Sequence, residues 1–150
     1  LIYFITIIGL IGIDQLTKIW AVDALMHKGP QGFIDGFLGF RYVENTGAAF
    51  SILKDQQLLL ILITFVILAG MIGYMIKAIK TEAPIVVKLA YISIISGAVG
   101  NFIDRARLNY VIDFLEFKFI RFPVFNVADV LVVVGVILLS YAILFMKYDF

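Results

Sequence analysis

The sequence predicts an all-α membrane protein, a bundle of four transmembrane helices, and three observations carry that expectation. Of the 150 residues 63% are hydrophobic and 15% charged, where a soluble domain is roughly half apolar and a quarter charged. Four apolar stretches approach or reach the ~20 residues that a helix needs to cross a hydrocarbon core of ~30 Å. No internal repeat, low-complexity segment or second domain interrupts them, so residues 1–150 are expected to form a single integral membrane domain.

The first span is expected over Leu1–Val22. It is long, contains charges and lacks a small-residue cleavage pattern behind it, so it reads as a mature span rather than a cleavable signal. Within it Asp14 and Lys18 share one helix face. They form either an ion pair near the outer end of the span, or Lys18 snorkels to the interface and leaves Asp14 facing the bundle. The linker that follows interleaves Gly29, Pro30, Gly32, Gly36 and Gly39 with Phe33, Phe37, Phe40 and Tyr42, a pattern of short strands on the membrane surface.

The second span, Leu58–Ile76, is nearly pure hydrocarbon and suits a packing or lipid-facing helix. Behind it a short basic run places Lys77, Lys80 and Lys88 against Glu82. An even number of spans puts both termini on the side of this run, and the positive-inside rule makes that side cytoplasmic. The third span, Ile85–Ile103, contains Gly97 and Gly100, small residues that let a neighbouring backbone approach. Its outer end presents Asn101, Asp104 and Arg105; an Asp104–Arg105 surface pair is the simpler alternative, weakened because adjacent residues do not face each other on a helix.

The third linker, Arg107–Pro123, carries Tyr110, Phe114, Phe117, Phe119 and Phe122 in partial alternation and reads as an interfacial ribbon. Asp113 lies inside it between apolar neighbours, either as a turn acid or as one of two cooperating carboxylates. The fourth span is expected over Val124–Met146 with Pro123 at its start. Asn126 then fits a cap, whereas Asp129, about 9 Å of helix rise beyond Pro123, falls outside a capping role and asks for another.

The composition narrows the chemistry. A net charge of +1 gives no field directed at nucleic acid. The absence of cysteine removes disulfides, thiolate metal sites and a cysteine nucleophile, and the single histidine, His27, cannot build a multi-histidine zinc site. No metal or cofactor is expected, and a serine triad would have to rest on that one imidazole. The work falls to carboxylates. Two that share a site cannot both ionise easily, so one holds a proton while the other draws one from water. Two other classes fit the polar residues: a small proton- or ion-coupled transporter with Asp14, Asp104 and Asp129 as a relay, and a structural membrane subunit whose charges merely pair.

Five segments in order, Asp14–Lys18, Val43–Ser51, Gly100–Arg105, Val111–Phe114 and Phe125–Asp129, make the chain resemble the bacterial lipoprotein signal peptidases, the type II signal peptidases, over essentially its whole length. The resemblance implies an aspartyl endopeptidase that cuts the signal peptide from diacylglyceryl-modified prolipoproteins just before the lipid-bearing cysteine. It places the enzyme in the cytoplasmic membrane, multi-pass, with the site near the outer face. Asp113 and Asp129 would be the catalytic dyad. Asn45, Asn101, Arg105 and Asn126 would hold the substrate or orient the dyad, with Asp14, Lys18, Gly47, Gly97 and Asp104 in support. The expected partners are lipidated prolipoprotein signal peptides and membrane lipids, for a monomer. The expected fold is then a four-transmembrane-helix bundle with a small extracytoplasmic β-sheet and a mobile surface helix covering the cleft.

Overall fold

A computed structural model of the chain describes residues 1–47, 53 and 55–148. The motif residues Ala48–Ser51 lie outside the described residues, as does Lys54. Four helices are long and apolar enough to cross a membrane: α1 (Ile2–Leu25), α2 (Gln57–Lys80), α3 (Ile85–Leu108) and α4 (Val127–Met146). The first three run past their expected outer or inner ends. Asp23, Lys77, Lys80, Arg105 and Arg107 lower the hydropathy there without breaking the backbone ladder, because charged side chains suit the interfacial turn of a helix. Asn109, with φ 64°, ends α3 in the left-handed conformation and turns the chain back toward the bundle.

Helix α3 is the axis of the bundle. Half of its apolar window is buried inside the protein, against 11% for α1 and 17% for α2 and for α4. The expected small-residue contact is present: a Cβ on Gly97 would strike the Ala128 carbonyl and Val132, and one on Gly135 would strike the Ala90 carbonyl and Ile94. These glycines let α3 and α4 pack backbone to backbone. In one half of the bundle, Leu68, Met75, Val87, Tyr91, Ile95 and Ala142 form an apolar core joined by Tyr3, Ile7 and Leu10 of α1.

The other half meets a three-stranded antiparallel sheet, β1 (Gln31–Ile34), β2 (Leu38–Asn45) and β3 (Val111–Phe117), in the order β1-β2-β3. The two aromatic linkers therefore do form strands. Ala21 and Leu25 of α1 pack with Ile112 and Phe114 of β3, and Trp20 meets Phe40 and Phe114 edge-on at 5.1 and 5.9 Å. No separate surface helix occurs among the described residues, where Gln31–Ile34 is a strand.

The fourth span differs from expectation at its start. Residues 123–126 are not helical; Phe125 instead bridges Leu115, and α4 begins at Val127 with Asn126 as its N-cap. Asp129 thus sits in the first turn and takes part in the cap, against the expectation from a helix start at Pro123.

Candidate active site

Asp113 owes its position to the two-residue period of β3. Ile112 and Phe114 face α1, so Val111 and Asp113 face the opposite side. In the register Val43 opposes Asp113 and Asn45 opposes Val111, which places Asn45 diagonal to Asp113 on the same face. Its Nδ2 donates to Asp113 Oδ2 at 2.9 Å, while its Oδ1 accepts the Gly47 N–H at 2.9 Å. The second bond fixes which end of the amide meets the acid.

Asp129 is placed by a reciprocal cap. Asn126 Oδ1 accepts the Asp129 N–H at 2.9 Å, and Asp129 Oδ2 accepts the Asn126 N–H at 3.1 Å. Asn126 Nδ2 then reaches across to Asp113 Oδ1 at 2.6 Å and to the Ile112 carbonyl at 3.3 Å. One fully buried side chain therefore touches the first acid and caps the helix that carries the second. Asn101 of α3 completes the ring, its Nδ2 donating to Asp129 Oδ1 at 2.8 Å.

Both acids line one cavity of about 620 Å³ together with Asn45, Asn101 and Arg105. Its remaining wall is apolar and includes Phe117, Phe122, Pro123, Val130 and Val133. Burial pushes the Asp113 carboxyl up to about 7, and the Asp129 carboxylate adds to the rise; Asn45, Asn126 and Lys18 act against it. Arg105 donates from Nη2 to the Gly47 carbonyl at 3.0 Å, and its buried Nε has no partner among the described residues. The guanidinium lines the cavity beside two acids, where it can donate to a carbonyl oxygen.

Behind this layer lies a buried ionic cluster. Lys18 Nζ contacts Asp14 Oδ2 at 3.0 Å, Asp104 Oδ2 at 2.9 Å and Asn101 Oδ1 at 3.0 Å. Lys18 is only 1% exposed, so it does not snorkel, and the Asp14–Lys18 pair is not self-contained. Asp104 turns to Lys18 and Gln15 rather than to Arg105, whose guanidinium points into the cavity. A Cβ on Gly100 would collide with the Asp14 carboxylate, so glycine is what admits α1 there.

Every candidate site residue with a polar side chain sends it into these two layers; Gly47 contributes its backbone, and Gly97 the close packing of α3 on α4. Gln15 was overlooked although its Nε2 donates to Asp14 Oδ2, the Gly100 carbonyl and Asp104 Oδ1 at 3.2, 3.3 and 3.1 Å. Its place beside Asp14 at membrane depth was the available signal. Among the described residues no group of three or more His, Cys, Asp or Glu side chains is arranged to hold a metal ion.

Comparison with known proteins agrees with this architecture. The family model for signal peptidase (SPase) II matches residues 6–145. A lipoprotein signal peptidase of Streptococcus pyogenes serotype M5 (strain Manfredo) is 44% identical over 140 residues, which is 92% of this chain and 90% of that protein. The relative from serotype M18 (strain MGAS8232) matches to the same extent, 44% over 140 residues, 92% of this chain and 90% of its own. Two solved structures, described as a bacterial membrane enzyme studied by the in meso method at 2.3 and 1.9 Å resolution, superpose with TM-scores of 0.85 and 0.84 at 29% identity. They cover 99% and 95% of this chain, and 92% of each of those chains is matched.

Proposed function

Since the chain belongs to the signal peptidase II family, a family of membrane peptidases, we propose that it removes signal peptides from diacylglyceryl-modified prolipoproteins as an aspartyl endopeptidase, with Asp113 and Asp129 as its dyad. The observation that carries the reading is that the two acids line one cavity and are joined through Asn126. A transporter relay is disfavoured, because Asp14 and Asp104 are both paired with the one buried ammonium of Lys18.

The chemistry follows from the geometry. A scissile peptide within a helix is shielded by its own hydrogen bonds, so it must first be extended, and the Arg105 guanidinium, which lines the cavity, can donate to a released carbonyl. Water attacks the scissile carbonyl with one carboxylate as base, while the protonated partner donates to the developing oxyanion. The captured proton then passes to the leaving amine. The pair titrates as a unit, and either acid serves in each role.

The apolar wall around Val130 and Val133, the latter exposed on the bundle surface, suits acyl chains on the residue next to the cut. That favours cleavage just before the lipidated cysteine. The exposed rings of Phe33, Phe37 and Phe119 on and beside the sheet suit a membrane–water interface, and the basic α2–α3 turn on the opposite side suits the cytoplasm. In this reading both termini are cytoplasmic and the site lies near the outer face. One chain supplies every group, so a monomer suffices.

The test is cleavage of a lipidated precursor in detergent by Asp113→Asn and by Asp129→Asn. Each variant is expected to lose a factor of roughly 10³ or more in kcat. Near-normal cleavage by either one removes the dyad.

A further inference from the structure

Lys18 stands outside the cavity, yet its contacts lead to both acids by matched routes. Asp14, which grips Nζ with Oδ2, accepts the Ala128 N–H with Oδ1 at 2.9 Å. Asp104, which grips Nζ with Oδ2, accepts the Ile112 N–H on the same oxygen at 3.2 Å. Ala128 and Ile112 are the residues immediately before Asp129 and Asp113. The third contact of Nζ is Asn101 Oδ1, which also accepts from Asn126 Nδ2 at 3.1 Å.

An ammonium group offers three N–H bonds and no acceptor, and here three acceptors surround it. Turning the Asn101 amide over would point its N–H₂ at Lys18 and its carbonyl at the Asp129 carboxyl, a clash at both ends. An apolar side chain in this place would avoid the desolvation that a buried cluster of two acids and one base incurs. We propose that Lys18 is a positioning residue of the dyad: it locks the Asn101 amide so that an N–H always faces Asp129, and it supplies the cation against which the acid pair exchanges its proton.

This deepens the aspartyl reading and rests on it. The charged groups that bear on the exchange are Asp14 and Lys18 from α1, Asp104 and Arg105 from α3, and Asp129 from α4; Asn45 of β2 and the N-cap Asn126 face Asp113 directly. Lys18 favours the ionised form of Asp113, so its loss lets the carboxyl keep its proton to higher pH.

The experiment compares kcat and KM against pH for wild type and for the double variant Lys18→Met/Asp104→Asn. The pair of substitutions preserves the net charge of the cluster and an acceptor for the Ile112 N–H. The variant is expected to unfold thermally as the wild type does, with kcat lowered about ten- to hundredfold and KM within about twofold. The alkaline limb of kcat should move to higher pH, and by less than in Lys18→Gln, because removing the Asp104 charge opposes the loss of the Lys18 charge. An unchanged kcat with an unmoved limb, or a change confined to KM, overturns the proposal. If the double variant fails to fold, Lys18→Gln decides, since a neutral N–H can still reach Asn101: a lowered kcat with the limb moved to higher pH supports the proposal, and wild-type behaviour overturns it. Failure of both to fold assigns Lys18 to assembly and also overturns it. Asp113→Asn and Asp129→Asn are run alongside: if they cleave, the dyad itself is lost, whereas if they are inert and the Lys18 variants are normal, only the role of Lys18 is lost.

Discussion

Helices α2 and α3 have the same length, 24 residues, but opposite surroundings. The apolar window of α2 has a mean hydropathy of 2.6 and is 17% buried; that of α3 has 1.6 and is half buried. Leu62, Phe65 and Val66 of α2 face outward, where lipid must cover them. Helix α3, enclosed by the other helices, carries Asn101, Asp104 and Arg105 with partners for nearly every polar atom. The lesson is that enclosure by protein, rather than depth alone, decides where a membrane chain can keep polar chemistry.

The sharpest attempt to break that contrast is to empty the polar ring beside α3. Asn126→Ala removes donors to Asp113, Asn101 and the Ile112 carbonyl and the cap on α4. Cleavage should fall by about 10² or more, together with a loss of about 1 kcal/mol in unfolding free energy for the cap. Kinetics and denaturation in detergent check both, and a normal rate would detach Asn126 from the chemistry.

The glycines give a direct comparison between the two helices. Gly100→Ala on α3 drives a methyl into the Asp14 carboxylate and should cost about 1–3 kcal/mol with a loss of turnover. On α2, Gly70 and Gly73 have open space where a Cβ would go. Gly70→Ala and Gly73→Ala should be neutral or stabilising by up to about 1 kcal/mol. Equal effects on the two helices would erase the distinction.

A further prediction concerns pH. Asp113 keeps its proton in the folded chain to about 7, against an ordinary 3.8, so the folded state binds more protons between those values. Its contribution to stability is therefore fully present below about pH 4 and is lost as pH rises through about 7. The melting temperature should decline across that window, and Asp113→Asn should flatten the decline. On the proposed dyad mechanism, wild-type kcat should fall on the alkaline side of about 7, where Asp113 loses its proton.

The four spans and the polar faces of α1 and α3 were legible because hydropathy and helical spacing are local properties. The strands were legible from alternating aromatics, although the pairing of Asn45 beside Asp113 depends on a register that the sequence does not spell out. Pro123 misled because a proline can open a helix or sit in an extended lead-in, and the Leu115–Phe125 bridge that decides between them is a tertiary contact. The spacing of Asp14 and Lys18 announced a pair; only the packing of α3 against α1 brings Asp104 and Asn101 to the same ammonium. Sequence thus identified the participants other than Gln15, and helix packing and strand register assigned their partners.

The three asparagines around Asp113 and Asp129 are each held from behind: Asn45 by the Gly47 N–H, Asn101 by Lys18 and Asn126 by the Asp129 N–H. Under the proposed aspartyl mechanism, a stiff inhibitor bearing a secondary alcohol between the acids would meet a receptor that is already set. Its affinity would owe little to induced fit, and flexible analogues of equal contact area should bind more weakly by the entropy they lose on docking.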